Sequence, residues 1–294
     1  MKRNEGGRSN RKPIIERLVE AQPRGEIGSR YLKGLAALAV GATLVTRNSN
    51  PLKTLALGVG GGALGNNLNS LVGHRQGAHR SIQTKPGVVN ESHRLATGIL
   101  GGVRMRAVAM HRWHHEHSDT AQDPHAPSVI GRGKVFTDIV GISERFGEEH
   151  PEYVAQFESE SPYTQPRVYE KTPIFISSLL ATHHAAGRKL GLPVPYRAIS
   201  AGIHISLLYI MNSTYTADVH SDDPANPDEI AKFNYGPVTN VVFGSEDGHG
   251  PHHEDPSNAR HSDIDAVYGY ALLLWGAGLA KIPNLENTEQ SQTV

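Results

Sequence analysis

Residues 111–125 read HRWHHEHSDTAQDPH. His111, His114 and His115 stand at offsets of three and four, so on an α-helix their imidazoles share one face within about a turn. The same H-x-x-H-H spacing returns as His249, His252 and His253 in EDGHGPHHEDP, residues 246–256, where Pro251 is tolerable only if a helix begins near His249. A further cluster, His74 and His79 in GHRQGAHRS, residues 73–81, closes an apolar stretch that ends at Gly73. Eight imidazoles are too many for one ion and suit two, since neutral ring nitrogens bind iron, zinc, copper and nickel. Spacing alone also allows a pair of closed, four-coordinate structural zinc sites. Zinc-hydrolase chemistry needs H-E-x-x-H, and His115-Glu116 is followed instead by His117, Ser118 and Asp119.

Composition narrows the chemistry further. Lys plus Arg and Asp plus Glu both number 29 in the 294-residue chain, so no global field recruits nucleic acid, and none is expected as a partner. The chain has no cysteine, which removes disulfides, thiolate nucleophiles and iron–sulfur or Cys-based zinc sites. Any metal must sit on His, Asp or Glu. Histidine is in excess, with 17 copies, and about half of them fall in the three clusters.

Two stretches free of acidic or basic side chains other than histidine, Thr54 to Gly73 and Ala198 to Ala217, have the roughly 20 residues that a bilayer crossing needs. The first is diluted by Gly58, Gly60, Gly61, Gly62, Asn66, Asn67 and Asn69, the second by His204, Asn212 and Ser213. Mean hydropathy is negative, and composition alone favours a soluble or peripheral helical protein. Periodicity and punctuation predict helices near 30–47, 52–80, 91–117, 172–188, 196–218 and 261–281, with little strand signal. The polar stretch from Ser118 to Pro173 reads as short helices and loops that can form a cap. Residues 1–30 read as a basic flexible arm, 31–282 as one catalytic domain, and 283–294 as a disordered tail.

The three clusters resemble the histidine boxes of the membrane-bound fatty acid desaturases, the acyl-CoA desaturase type in particular, which run H-x-x-x-x-H, H-x-x-H-H and H-x-x-H-H. The likeness extends past the histidines. His74-Arg75 and His79-Arg80 match the HR…HR pairing of the first box. His111, Arg112, His114, His115, Ser118, Asp119, Thr120, Asp123, Pro124 and His125 match the extended second box. This resemblance implies an all-α membrane protein, multi-pass with about four transmembrane helices, and a cytosolic helical cap around a di-iron centre facing the cytoplasm. It implies an enzyme that uses dioxygen to place a cis double bond in a saturated acyl chain, carried on coenzyme A or a lipid. Electrons then come from an external donor, a ferredoxin or a cytochrome b-type protein with its reductase, since no Rossmann glycine fingerprint is present. A related lipid hydroxylase or ketolase, and an inactive metal-binding relative, are the alternatives.

The resemblance implies His74, His79, His111, His114, His115, His249, His252 and His253 as iron ligands, with Asn212, Asp119, Asp123, His125, Arg75 and Arg80 around them or at the substrate. The family pattern N-S-x-x-H supplies a ninth histidine where this chain has Asn212-Ser213-Thr214-Tyr215-Thr216. Threonine is a poor iron ligand, so either one metal is under-ligated or His220 takes the place, about one helical turn further on. Arg75, Arg80, Arg104 and Arg106 can meet a phosphate-bearing carrier or form a solvated cationic face. His93, His150 and His261 sit in polar sequence and read as surface residues, while His117, like His125, reads as a candidate to support the ligands of the second box or to touch substrate.

Overall fold

A computed structural model of the chain describes residues 12–21, 26–160, 172–217, 220, 237–245 and 249–285. These residues form an all-α protein with one two-residue antiparallel ribbon, Gln83–Thr84 (β1) against Ala280–Lys281 (β2). In chain order the helices are α1 (Ile14–Glu20), α2 (Ile27–Thr46), α3 (Asn50–Leu68), α4 (Val88–Ala96), α5 (Met105–His117), α6 (Pro127–Ile130), α7 (Arg132–Glu149), α8 (Pro151–Glu160), α9 (Thr172–Lys189), α10 (Val194–Ala217), α11 (Pro237–Val242), α12 (His249–Glu254) and α13 (Ala266–Gly276).

Several of these differ from the sequence expectation for physical reasons. The helix expected over 52–80 widens after Leu68 into a π-helical segment, Asn69–Ala78. The helix expected over 91–117 is interrupted where Gly102 takes a left-handed φ of 64° and Arg104 is extended. The helix expected over 261–281 starts only at Ala266, because the Asp265 side chain accepts the Tyr268 amide at 2.8 Å and caps it there. Part of the expected N-terminal arm is ordered: α1 packs on α7 so closely that a Cβ at Gly133 would lie 2.8 Å from the Glu16 carbonyl oxygen. Residues 286–294 of the tail expected over 283–294 lie outside the described residues.

The cap is a second core. Val108, Ala109 and Met110 of α5 pack with Ile142 and Phe146 of α7 and Phe157 of α8, which fixes the buried side of the helix carrying the second histidine box. Beneath it, α3 packs along α10 through Gly58, Gly62 and Gly65. A Cβ there would meet Ile203 at 2.7 Å and Leu207 at 2.8 Å on α10, and at Gly65 both Leu208 of α10 at 3.0 Å and, from the segment before Gly102, the Leu100 carbonyl oxygen at 2.5 Å. The glycines that dilute the hydropathy of this stretch are thus its packing face, and their missing side chains let the two backbones close up.

No helix among the described residues is both long and apolar enough to cross a membrane, against the expectation of about four transmembrane helices. The apolar helix α2 nevertheless buries only Gly28 and leaves Leu38, Leu44 and Val45 on the surface.

Gly65→Ala is expected to lower stability by about 1–3 kcal/mol through overpacking against backbone. Gly60→Ala, on the same helix with nothing within 4 Å of its Cβ position, is expected to raise it by about 0.5–1 kcal/mol. Thermal melts of the two variants check the pair, and equal shifts would remove the packing role assigned to the glycine face.

Candidate metal centre

The first box depends on the π-helical widening. Its hydrogen bonds close five residues back, and the His79 amide donates to the His74 carbonyl at 3.1 Å. In an α-helix residues five apart diverge; the wider turn brings His74 and His79 to one side, with ring centroids 4.8 Å apart. The second box sits on α5, whose buried side is fixed by the cap. The third sits on α12, which begins at His249 and so takes Pro251 in its first turn, where no intrahelical amide donor is lost.

The side chains meet as two clusters. In one, the ligating nitrogens of His74, His79, His111, His115 and His252 lie within 4.8 Å of one another. Their Nε2 atoms follow one another at 3.0 Å (His74–His252), 3.1 Å (His252–His115), 3.2 Å (His115–His111) and 3.1 Å (His111–His79). In the other, His220 Nε2 is 3.1 Å from His249 Nε2, which is 3.1 Å from His253 Nε2, itself 3.4 Å from His114 Nε2. Each H-x-x-H-H helix therefore serves both. The i, i+4 pair of α5, His111 and His115, goes to the five-histidine cluster and His114 to the four-histidine one; on α12, His249 and His253 go to the latter and His252 to the former.

The donor set fits metal ions. Metal–nitrogen bonds of about 2.0–2.1 Å set neighbouring donors roughly 3 Å apart, as here. Proton bookkeeping agrees. His114 Nδ1–H donates to Asp123 Oδ2 at 2.7 Å, and His220 Nδ1 is 3.2 Å from Asp119 Oδ2. Ser118 spends its proton on the His114 carbonyl, so His253 Nδ1–H donates to Ser118 Oγ at 3.2 Å. Three rings of the four-histidine cluster thus carry their proton on Nδ1, leaving bare Nε2 lone pairs facing one another, an arrangement a cation reconciles.

Burial keeps the rings in the neutral, ligating form. Desolvation, with a smaller push from neighbouring histidines, lowers His114 to about 3 and His253 to about 2, and holds His111, His115 and His252 well below the usual histidine range. Asp123 is ionised: burial pushes it up, but His125 and His114 together hold it far below the usual carboxylate range. Its Oδ2 also accepts the Asp119 amide at 3.0 Å, and its Oδ1 accepts both Nδ1–H and the amide of His125 at 2.7 and 3.1 Å. Asp119 makes its turn in the left-handed region, φ 57°, which Asp tolerates and which aims its carboxylate at His220.

His220 thus lies where Thr216 does not reach. The Thr216 hydroxyl donates to the Asn212 carbonyl at 2.9 Å and only borders the adjoining cavity. Arg75 departs from the expectation of a carrier contact: it is fully buried, paired with Asp265 at 2.9 Å and donating to the Ser245 carbonyl at 3.2 Å. Arg80 is half-exposed and bonds the Glu160 carbonyl at 2.8 Å; neither arginine lines the cavity. His117 turns away from the clusters and stacks on Trp113 at 4.2 Å.

Sequence polarity misplaced two histidines. His93 is buried and bonds the Tyr270 hydroxyl at 2.8 Å. His261 is buried beside the five-histidine cluster, with its ring 4.3 Å from His252 and 5.1 Å from His74 and its Nε2–H donating to the Asn258 carbonyl. Only its distance of eight residues from the third box hinted at that place.

A cavity of about 240 Å³ opens onto both clusters, touching His74 and His111 of one and His249 of the other. Its walls are mainly apolar, with Val103, Val108, Met110, Ile139, Val140 and Met211, and Arg104 lies among the lining residues, ion-paired with Glu144. No protein-family model, no curated protein and no solved structure matches the chain.

Titration of the metal-free protein with a spectroscopically visible divalent ion such as cobalt is expected to give two bound equivalents, falling to one tight equivalent in His220→Ala and staying at two in Thr216→Ala. Asp123→Asn is expected to weaken binding by about 10–100-fold, because it removes the anchor of His114. Unchanged stoichiometry in His220→Ala would remove that residue from the ligand set.

Proposed function

We propose that this chain is an oxygen-dependent fatty acyl desaturase of the membrane-bound, histidine-box kind, which places a cis double bond in a saturated acyl chain. The observation that carries the reading is the pair of imidazole clusters, five and four rings, opening side by side onto one apolar-walled cavity. His74, His79, His111, His115 and His252 would hold one iron, and His114, His220, His249 and His253 the other. Bound iron supplies the one thing side chains lack, the capacity to use dioxygen against an unactivated C–H bond.

The remaining work belongs to the chain's own residues. Val103, Val108, Met110, Ile139, Val140 and Met211 hold the acyl chain by burial and keep water from the reacting carbons. His74, His111 and His249 border the cavity, so a methylene seated there lies against both metal shells. Asp123, Asp119 and Ser118 fix ring orientation from behind. Dioxygen takes two electrons with two hydrogens from the acyl chain and two electrons from outside, ending as water. An external one-electron carrier, a ferredoxin or a cytochrome b-type protein with its reductase, meets that need. The exposed apolar side chains of α2, Leu38, Leu44 and Val45, together with Ile199 on α10, support a membrane-seated protein with lipid against this part of the helix pack.

Cells expressing the chain are expected to gain unsaturated fatty acids only in the presence of oxygen, with a product two hydrogens lighter than its substrate. His115→Ala and His253→Ala, one from each cluster, are each expected to abolish that product. A product heavier by one oxygen would reassign the site to hydroxylation, and an unchanged lipid profile from iron-loaded protein with a working reductase would end the oxidation reading.

A further inference from the structure

Helix α1 is docked by one side and leaves another uncovered. Val19 is buried, and Glu16 lies against α7, where its backbone closes on Gly133 and its carboxylate stands 3.5 Å from the Thr137 hydroxyl. Ile14, Ile15 and Leu18 are spaced by one, three and four residues and so share a separate arc of the helix. They are 67, 61 and 57 % exposed. Arg17, also exposed, borders that arc. Just before Gly133 in the chain, α6 adds exposed Val129 and Ile130. The helix that seats α1 also forms a wall of the cavity, through Ile139 and Val140.

Charge indicates what covers the arc. Residues 1–20 carry six cationic side chains, Lys2, Arg3, Arg8, Arg11, Lys12 and Arg17, against three acidic ones, Glu5, Glu16 and Glu20, in a chain whose totals are equal at 29. Glu16 is turned to α7, and Glu20 pairs with Lys12 at 2.6 Å. We propose that this face of α1 seats in the headgroup layer of an anionic membrane, with Ile14, Ile15 and Leu18 reaching the acyl boundary and the cations of residues 1–17 supplying the attraction to lipid phosphate. Three aliphatic side chains fall well short of the roughly 800 Å² per partner that a specific protein interface buries. A lipid surface asks for no complementary shape and rewards each buried methylene and each nearby cation separately. Because α7 already holds α1 folded, the contact is spared the cost of ordering a free peptide. Neither metal nor acyl substrate is needed for it, so it stands or falls apart from the oxidation reading.

The chain has no cysteine, so one introduced thiol takes one label. Bimane, whose emission moves to the blue out of water, is attached in the full chain to Ile15→Cys, to Leu18→Cys or, at an exposed position of α8, to Ala155→Cys. Each is read with phosphatidylcholine vesicles and with vesicles in which roughly a third of the lipid is phosphatidylserine. On the anionic vesicles the labels at 15 and 18 are expected to shift to the blue and to be quenched by lipids brominated in the upper acyl chain, while the label at 155 does neither. Raised salt is expected to weaken the shift. Arg8→Gln with Arg11→Gln is expected to lower the ratio of lipid-seated to free label about 10–30-fold, the effect of two charges lost at the surface. Emission at 15 and 18 that does not respond to anionic lipid would overturn the proposal, as would an equal response at 155. A blue shift that needs no lipid and grows with protein concentration would place a second copy on the face and overturn the lipid assignment.

Discussion

Nine imidazoles bring their Nε2 atoms to about 3 Å of one another, with the lone pairs of His114, His220 and His253 turned inward, and this is the constraint around which the protein is built. Such lone pairs repel unless a cation sits among them, so the rings must be held from behind by groups that take their Nδ1 protons. Asp123 and Asp119 do this for His114 and His220, and Ser118 for His253. The packing beneath serves the same end. Arg75, next to His74 in the chain, is tied to Asp265, which also caps α13 and accepts the His261 amide at 2.9 Å. A buried ion pair of this kind adds little net stability, but breaking it strands a charge, so it fixes one register between the first box and the segment after the third.

The histidine spacing made the two triplets legible as helical faces, because offsets of three and four mean the same thing on any α-helix. It did not reveal how the rings divide. Residues that share a face can turn to either of two neighbouring clusters, and only the approach of α12 to α5 sends His114 one way and His111 with His115 the other. The first box was harder still, since a five-residue separation joins two side chains only when the helix widens, and no single residue in GHRQGAHRS announces that. His220 could be named as a candidate from its place after Thr216, but its role depends on an Asp119 turn more than a hundred residues earlier in the chain.

Hydropathy misled in both directions for one reason: it sums residues without knowing which way they face. Gly58, Gly62 and Gly65 lower the apparent greasiness of α3 while providing its tightest contact with α10. His93, His261 and Arg75 read as surface polarity and are buried, His93 Nε2 against the Tyr270 hydroxyl, His261 Nε2 against the Asn258 carbonyl and Arg75 against Asp265. The all-α class survived these errors because helix periodicity is local, whereas burial is decided by partners distant in the sequence.

Because α5 and α12 each send rings to both clusters, any ions held there would share one scaffold. Neither helix can shift along its axis or rotate without disturbing both clusters at once, so the spacing of the two clusters is set mechanically by two short rods. Filling one cluster removes rotational freedom from rings that the other also needs. Two metals bound there would thereby be linked in affinity, the first prepaying part of the ordering that the second requires.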